Sequence, residues 1–336
     1  MKTQIIIYEE ISDELKNIWL EFEKKSNSHC FQSFFWVNHV INLFRKKNSF
    51  FLLQIILVKK NDELVSIFPL YIKKKFGLHI LCWIGDSFSD YNTPLISNTF
   101  DYKKDDFLHD FSIIKKKIKK IDIIYFERQS SFILNQKNPF FFFLKNFNIS
   151  KNYRINIATF NNLKEKNINE FLFLHFDHHD NFKEYLKKII NLKIFQLNKK
   201  YFIKKNYTNL KFFYDKIDEV KSQFLKIYVS VLKYQEQDLS CNIGILYKKC
   251  FYYLVPTYNS NFKKFSPGKL LIKKILEWCI QNRISFFDFG QGDEKYKKNL
   301  ANENNFIGHY YYINSLRGSL FYFFLILKKV NSLLRS

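Results

Sequence analysis

A chain that turns sharply needs residues that tolerate left-handed backbone, and this one has only 8 glycines among 336 residues. Three of them, Gly268, Gly290 and Gly292, fall inside the stretch "FSPGKLLIKKILEWCIQNRISFFDFGQGDEKYKKNL" at 265–300, together with one of the five prolines. Glycine is the residue for positive φ and for close backbone approach, so this concentration marks the tightest demands of the fold. Ser266 is placed as an N-cap, with Pro267 at the first helical position, where a missing N–H costs nothing. Leu271, Ile275 and Trp278 share one face of the helix that follows. "ISFFDF" reads as a buried strand ending in Asp288. Gly290 and Gly292 then turn the chain so that Asp288, Asp293 and Glu294 converge on one end of a sheet, with Tyr296 and Lys297 close behind.

That convergence sets out a chemistry. A carboxylate, a phenol and an ammonium group at one place supply a base, an acid and a partner for an oxyanion. The start of the helix, with Ser266, Gly268 and Lys269, offers N–H groups and a dipole that favour an anion. Lys263 and Lys264 add charge beside it. A plainer reading is that Asp293 and Glu294 begin a helix, where acidic residues are favoured anyway.

The rest of the chain frames this site in a regular alternation. "TQIIIYEEI" reads as a strand, "SDELKNIWLEFEKKS" as a helix capped by Ser12, and "FFLLQIILVKKNDELVSIFPLYIKKK" as a hairpin turning at "KNDE". "GLHILCWIG" is a further strand, a helix covers 103–120, and "IDIIYFER" is a short buried strand. The phenylalanine run "NPFFFFLKNF" is placed at a domain junction. In the second half, "NFKEYLKKIINLKIFQLNKK" reads as a helix, "TNLKFFY" as a strand and "KIDEVKSQFLKIYVSVLKYQ" as a long amphipathic helix. "SCNIGILYKKCFYYLVPTY" follows as a hairpin turning at Lys248-Lys249. Each half thus runs hairpin, helix, strand, which is an α/β arrangement with a mixed (α+β) sheet. The domains expected are 1–150, 151–314 with the glycine-bearing stretch, and a C-terminal helix at 315–336. That last helix either lies in a membrane interface or packs back on the first domain. In the first half, "GDSFSDYNTP" puts Asp86, Asp90 and Tyr91 in a polar loop, with Gln32 as a further candidate to face a cleft.

Composition bounds the partners. The formal net charge of +23 invites a nucleic-acid reading, but the lysines are spread along the chain. Lys, Asn, Ile, Phe and Tyr rise together as A/T-rich codons dictate, so nucleic acid is not expected on charge alone. Five scattered cysteines without C-x-x-C spacing argue for a reduced, cytoplasmic setting. "HFDHHD" at 175–180 alternates His175, Asp177 and His179 onto one strand face, yet a loop fits better, and no metal is expected. No run approaches the roughly 18 apolar residues of a spanning helix.

"FSPGKLL" followed by "FFDFGQGDEKYK" resembles the C-terminal signature of the CelD/BioF-like acetyltransferases of the GNAT superfamily. The blocks "HCFQSFFWVNHVINLF", "SIFPLYIKKKFGLHILCWIGDSFSDYNTPLIS" and "FYYLVPTYNSNFKKFSPG" agree in order. The resemblance implies two tandem GNAT-like (acyl-CoA N-acyltransferase) domains related to the Fem aminoacyltransferases. It implies acyl transfer from acyl-CoA (acetyl-CoA) to an amine acceptor, a sugar or lipid-linked precursor of surface polysaccharide, with peripheral membrane contact. On it, Asp288, Asp293, Glu294, Tyr296 and Lys297 are the catalytic candidates. Ser266, Gly268 and Lys269 would bind the cofactor, and Asp86, Asp90, Tyr91 and Gln32 the acceptor. "KKFSPGK" departs from a glycine-rich phosphate loop, since it has one glycine and Pro267 has no N–H to give. Two alternatives therefore stand: a Fem-like transferase using aminoacyl-tRNA, and a non-catalytic nucleic-acid or polysaccharide binding module.

Overall fold

The computed structural model describes the chain apart from residues 1, 47–49, 86–87, 161–170, 178–180, 202–210, 212, 215, 218–219, 221, 321–322 and 324–336. The described chain divides into two compact units, residues 1–150 with 306–336, and residues 151–305. The stretch 306–314 thus goes with the first unit, whereas the sequence alone assigns it to the second.

The first unit is a sheet in the order β1 (Thr3–Tyr8), β3 (Phe51–Lys60), β4 (Glu63–Lys75), β5 (Leu78–Trp83), β7 (Ile123–Ser130) and β16 (Glu303–Ile313). The short β2 (Ser26–Asn27) and β6 (Leu95–Ser97) attach beside β4. β3 and β4 form the expected hairpin, with Asn61 and Asp62 in the left-handed conformation its turn requires. Both strands are buried along their middles, so they read as near-continuous apolar runs. α1 (Asp13–Lys24) is capped by Ser12, whose Oγ accepts from the Leu15 N–H at 3.1 Å. α2 (Phe34–Lys46) follows it. α3 (Lys104–Lys117) buries Phe107, Phe111 and Ile114 on one face, and the chain returns as β7 parallel to β5.

The phenylalanine run behaves differently from the junction expected of it. Asn138 caps the short α4 (Pro139–Phe143), and Phe140 is driven into the middle of the first unit's core. Its ring meets Phe107 at 4.9 Å, Phe111 and Phe126 at 5.3 Å and Trp83 at 5.4 Å, mostly edge to face. A run with no period can still place a single residue at the centre of a cluster. Between β7 and α4, β8 (Phe132–Ile133) and β9 (Gln136–Lys137) make a small separate hairpin.

The second unit repeats the order. Its sheet runs β10 (Asn146–Asn156), β15 (Phe286–Gln291), β14 (Cys250–Tyr258), β13 (Gln237–Tyr247), β12 (Leu225–Tyr234) and β11 (Leu172–Phe176). β12, β13 and β14 form an antiparallel meander turning at Lys248, after which α6 (Pro267–Gln281) leads into β15, parallel to β14. This is the β3-β4-β5-α3-β7 sequence of the first unit over again. α5 (Phe182–Tyr201) packs on β14 and β13. Leu271, Ile272, Ile275, Leu276 and Cys279 of α6 bury against Tyr153, Phe251, Tyr253, Phe287 and Phe289.

Two readings are corrected here. "LKIYVSVLKY" is not part of a long helix but strand β12: Leu225, Ile227, Val229 and Val231 are buried at period two, and β-branched side chains suit that pleat. "TNLKFFY" is not a strand but helical at its described residues Lys211, Phe213 and Tyr214. The 315–336 helix is described at 316–320 and at Phe323, and the rest of it lies outside the described residues.

Candidate active site

A cavity of about 370 Å³ opens in the second unit where α6 begins. Ser266, Pro267, Gly268 and Lys269 form one wall, and Glu294 and Tyr296, from the turn after β15, form another. Tyr253, Thr257 and Tyr258 of β14, Ser240 of β13, and Lys193 and Gln196 of α5 complete it.

Local structure explains each wall. Ser266 sits at φ 52, ψ 53, so the chain enters α6 through a left-handed residue and the hydroxyl makes no capping bond. The capping role expected of its side chain is therefore not what the structure shows; its carbonyl accepts from the Lys269 N–H at 2.9 Å. With Pro267 lacking a donor, the Gly268 N–H is the one left in that first turn without a partner among the described residues. A Cβ at Gly268 would meet nothing within 4 Å, so the backbone there faces open space. Lys263 and Lys269 have no ion-pair partner among the described residues, whereas Lys193 donates to the Pro256 carbonyl at 3.1 Å.

The turn after β15 is built as the glycines demand, with Gly290 at φ 68 and Gly292 at φ 129. Lys297 is buried beneath it, donating to the Gln291 carbonyl at 2.8 Å and pairing with Glu294 at 2.9 Å. Glu294 precedes α7 (Lys295–Leu300) and is half exposed. Tyr296 packs its ring against Phe289 with centroids 6.0 Å apart. Burial, and then the nearby Glu294 charge, push its phenol well above the usual tyrosine range, so it stays protonated. The buried Tyr253 phenol is pushed up in the same way.

The five catalytic candidates do not converge as the sequence implies. Phe287 and Phe289 point into the α6 core, so strand alternation sends Asp288 to the opposite face. There it is buried, and its Oδ1 accepts from the Gly290 N–H at 2.8 Å, which stabilises the turn. Asp293 also stays out of the cavity wall. It accepts from the Tyr153 hydroxyl at 2.6 Å and pairs with Lys298 at 2.7 Å, and these bonds, Lys298 first, lower its carboxyl below the usual range. Of the five, Glu294 and Tyr296 face the cavity, and Lys297 supports Glu294 from beneath.

Among the described residues, the first-half candidates Gln32, Asp90 and Tyr91 line none of the cavity above. Gln32 is buried, with its amide donating to the Tyr91 carbonyl at 2.8 Å and accepting from Thr93 Oγ1 at 3.0 Å. Tyr91 is fully buried, its ring 4.8 Å from that of His29 and 5.7 Å from that of Phe31. These two residues knit the loop to the core. Asp90 is half-buried, and Asp86 lies outside the described residues. Sequence reasoning missed Lys193, Gln196, Ser240, Tyr253 and Tyr258. Tyr253 and Tyr258 stand five residues apart in "FYYLVPTY", so strict alternation would part them, and the register shift between Ile243 and Gly244 that intervenes has no local signature.

His179 of the "HFDHHD" stretch lies outside the described residues. Asp177 pairs with Lys226 at 3.3 Å, and His175 is wedged between Tyr228 and Trp278, with Nδ1 2.9 Å from Ser230 Oγ. Burial pushes the His175 imidazole down to about 3. The unfolded chain therefore binds a proton that the folded one refuses, and stability falls as pH drops from about 6.5 towards 3. Urea titrations across that window should show a shallower acid limb for His175→Phe than for the parent. Parallel acid limbs would remove His175 as the cause.

Residues 195–298 match the acetyltransferase (GNAT) domain family. That span contains most of the cavity wall. No curated protein sequence matches the chain. Among solved structures, the chain is similar to FemX at 12% identity and a TM-score of 0.57, covering 94% of this chain and 98% of that one. It is also similar to a conserved protein of unknown function from Bacteroides thetaiotaomicron, at 10% identity and a TM-score of 0.51, over 91% and 99% of the two chains. At these identities the likeness is one of fold, a mixed α/β architecture shared over nearly the whole length. The chain thus has a mixed α/β fold, and residues 195–298, in its second unit, are similar to GNAT acetyltransferase domains. Among the described residues, no helix is long and apolar enough to cross a membrane.

Proposed function

We propose that the protein is an N-acyltransferase of the CelD/BioF-like branch, moving an acyl group from acyl-CoA to an amine at the cavity beside α6. The observation that carries this reading is one cavity, most of its wall inside the matched span, that joins a cationic helix start to a carboxylate and a protonated phenol. Its donor set fits the anionic end of such a co-substrate: Lys263, Lys269 and the Gly268 N–H at the positive end of a helix dipole. What the co-substrate supplies is an activated thioester carbonyl. Glu294 takes a proton from the attacking ammonium and passes it to solvent, the amine nitrogen bonds to the carbonyl carbon, and the carbon–sulfur bond breaks. The Tyr296 hydroxyl protonates the leaving thiolate, and the second nitrogen proton, lost as the amide forms, returns to the Tyr296 oxygen. Lys297 holds Glu294 in place. The acceptor fitting the resemblance is an amino sugar or lipid-linked precursor handled in the cytoplasm.

The test is calorimetric titration with acetyl-CoA. Lys263→Gln and Lys269→Gln should each weaken binding about tenfold, the scale of one charge-assisted hydrogen bond. Unchanged affinity in both would move the phosphates elsewhere. The sparse N–H supply at Pro267 keeps a second donor in view, an aminoacyl-tRNA. Loss of activity on ribonuclease treatment of a lysate, with no binding of acetyl-CoA, would select that donor.

A further inference from the structure

The first unit carries a surface built the wrong way round for a core-packing helix. Residues 316–320 are helical, and Leu316, Leu320 and Phe323 follow the i, i+4, i+7 spacing of one helical stripe. They are 89%, 75% and 62% exposed. The face turned inward belongs to Gly318, where an added Cβ would come within 2.5 Å of the Asp122 carbonyl oxygen. The arrangement is pinned. The Asn314 N–H donates to that same carbonyl at 2.8 Å, Ser315 Oγ donates to the Asp122 carboxylate, and the Gly318 N–H donates to Ser315 Oγ at 3.1 Å. The leucines point outward because the small residue is locked inward.

A second element joins them. Phe76, at the tip of the β4–β5 turn, is 72% exposed. A cavity of about 480 Å³ is lined by Phe76, Gly77, Leu78, Arg317 and Leu320, so the turn and the helix share one surface. Phe50 and Leu52 extend it: both are exposed, the Phe50 ring lies 6.0 Å from that of His79, and Leu52 pairs with Ile72. The rim is cationic. Lys74 and Lys75 are exposed and have no acidic partner among the described residues, and the Lys75 ammonium lies 5.5 Å from the Phe76 ring centroid. Arg317 is exposed beside Asp122, the nearby carboxylate that Ser315 and the His79 N–H already occupy.

We propose that this face docks on an anionic lipid surface, with Phe76, Leu316 and Leu320 entering the headgroup boundary and Lys74, Lys75 and Arg317 meeting lipid phosphates. Exposed aromatic and leucine side chains ringed by lysine and arginine suit that boundary in both its apolar and its charged layers. A second copy of the chain suits it less, since a two-fold contact would bring cationic rims together. The inference rests on the first unit alone, so it stands or falls separately from acyl transfer in the second.

Flotation of the full chain tests it, using vesicles of phosphatidylcholine alone and of phosphatidylcholine mixed with phosphatidylglycerol. The protein should float with the mixed vesicles, stay behind with the neutral ones, and be released by high salt. F76S/L320S should abolish flotation, and Lys74→Gln or Lys75→Gln should each lower partitioning about fivefold. Leu172→Ser, a change at an exposed apolar residue of the second unit, should leave it unaltered. These substitutions lie on the surface, so unchanged circular dichroism and melting confirm that each variant is folded. Three outcomes overturn the proposal: no flotation of the parent with anionic vesicles, equal flotation of F76S/L320S and parent, or a dimer in sedimentation that F76S/L320S dissolves.

Discussion

Tyr296→Phe should lower turnover about 10²-fold or more, some 2.7 kcal/mol of transition-state stabilisation, with little change in donor affinity. The substitution removes one oxygen and keeps the ring that packs on Phe289. Stability should therefore barely move, and a fall in kcat at constant KM reports the proton donor itself. The size is that of a general acid in place at the leaving group; burial beside a carboxylate keeps the phenol protonated, so the proton is present when the thiolate leaves. Asp293→Asn and Lys297→Met make the useful contrast. Asp293 acts through Tyr153 and Lys298, outside the cavity wall, so its loss should cost turnover far less than that of Tyr296. Lys297 acts by placing Glu294 and should alter the pH profile of turnover along with its size. Steady-state kinetics of the three variants, with thermal melts alongside, decide the matter. Full turnover in Tyr296→Phe would leave proton donation to solvent and remove the central role given to this side chain.

The contrast also shows where sequence reasoning was sound and where it stopped. Gly290 and Gly292 announced a sharp turn, and the positive φ at both is what their spacing predicted. Hairpins at "KNDE" and at Lys248-Lys249 were legible because turn residues interrupt alternating apolar runs. The α/β class followed from that order of elements. Which face each carboxylate takes was harder, because a strand reverses its side chains at every residue. Phe287 and Phe289 inside the core fix Asp288 on the far side, an inference open to anyone who trusted the alternation over the motif. β12 failed for another reason. "KIDEVKSQFLKIYVSVLKYQ" has charges spaced closely enough to mimic a helical face, and the period-two burial of Ile227, Val229 and Val231 emerges only once β11 and β13 flank it. Lys193 and Gln196 were invisible for a third reason: α5 brings them to the cavity wall from some seventy residues before α6, and no local pattern encodes that meeting.

The same limit applies to the largest stability effect expected in the first unit. Lys60 and Asp110 are both buried, 3% and 2% exposed at their side chains, and their charged atoms lie 2.7 Å apart. Thr3 Oγ1 accepts from the Lys60 ammonium at 2.8 Å and donates to Asp110 Oδ1 at 3.1 Å, so β1, β3 and α3 meet at one polar knot. Asp110 Oδ2 has no partner among the described residues, so the pair is desolvated without being fully hydrogen-bonded. A buried pair of this kind gains little over apolar packing but is costly to break from one side. Asp110→Ala leaves an ammonium group buried and unpaired, and should cost about 3–5 kcal/mol. Lys60→Met combined with Asp110→Leu removes both charges and keeps the volume, and should recover most or all of that loss. Denaturant titrations of the two single variants and the double variant measure the coupling directly. A single-variant cost below about 1 kcal/mol, the range of exposed pairs, would mean that water reaches the site. A double variant as unstable as either single one would show that shape, rather than the unpaired charge, dominates the loss.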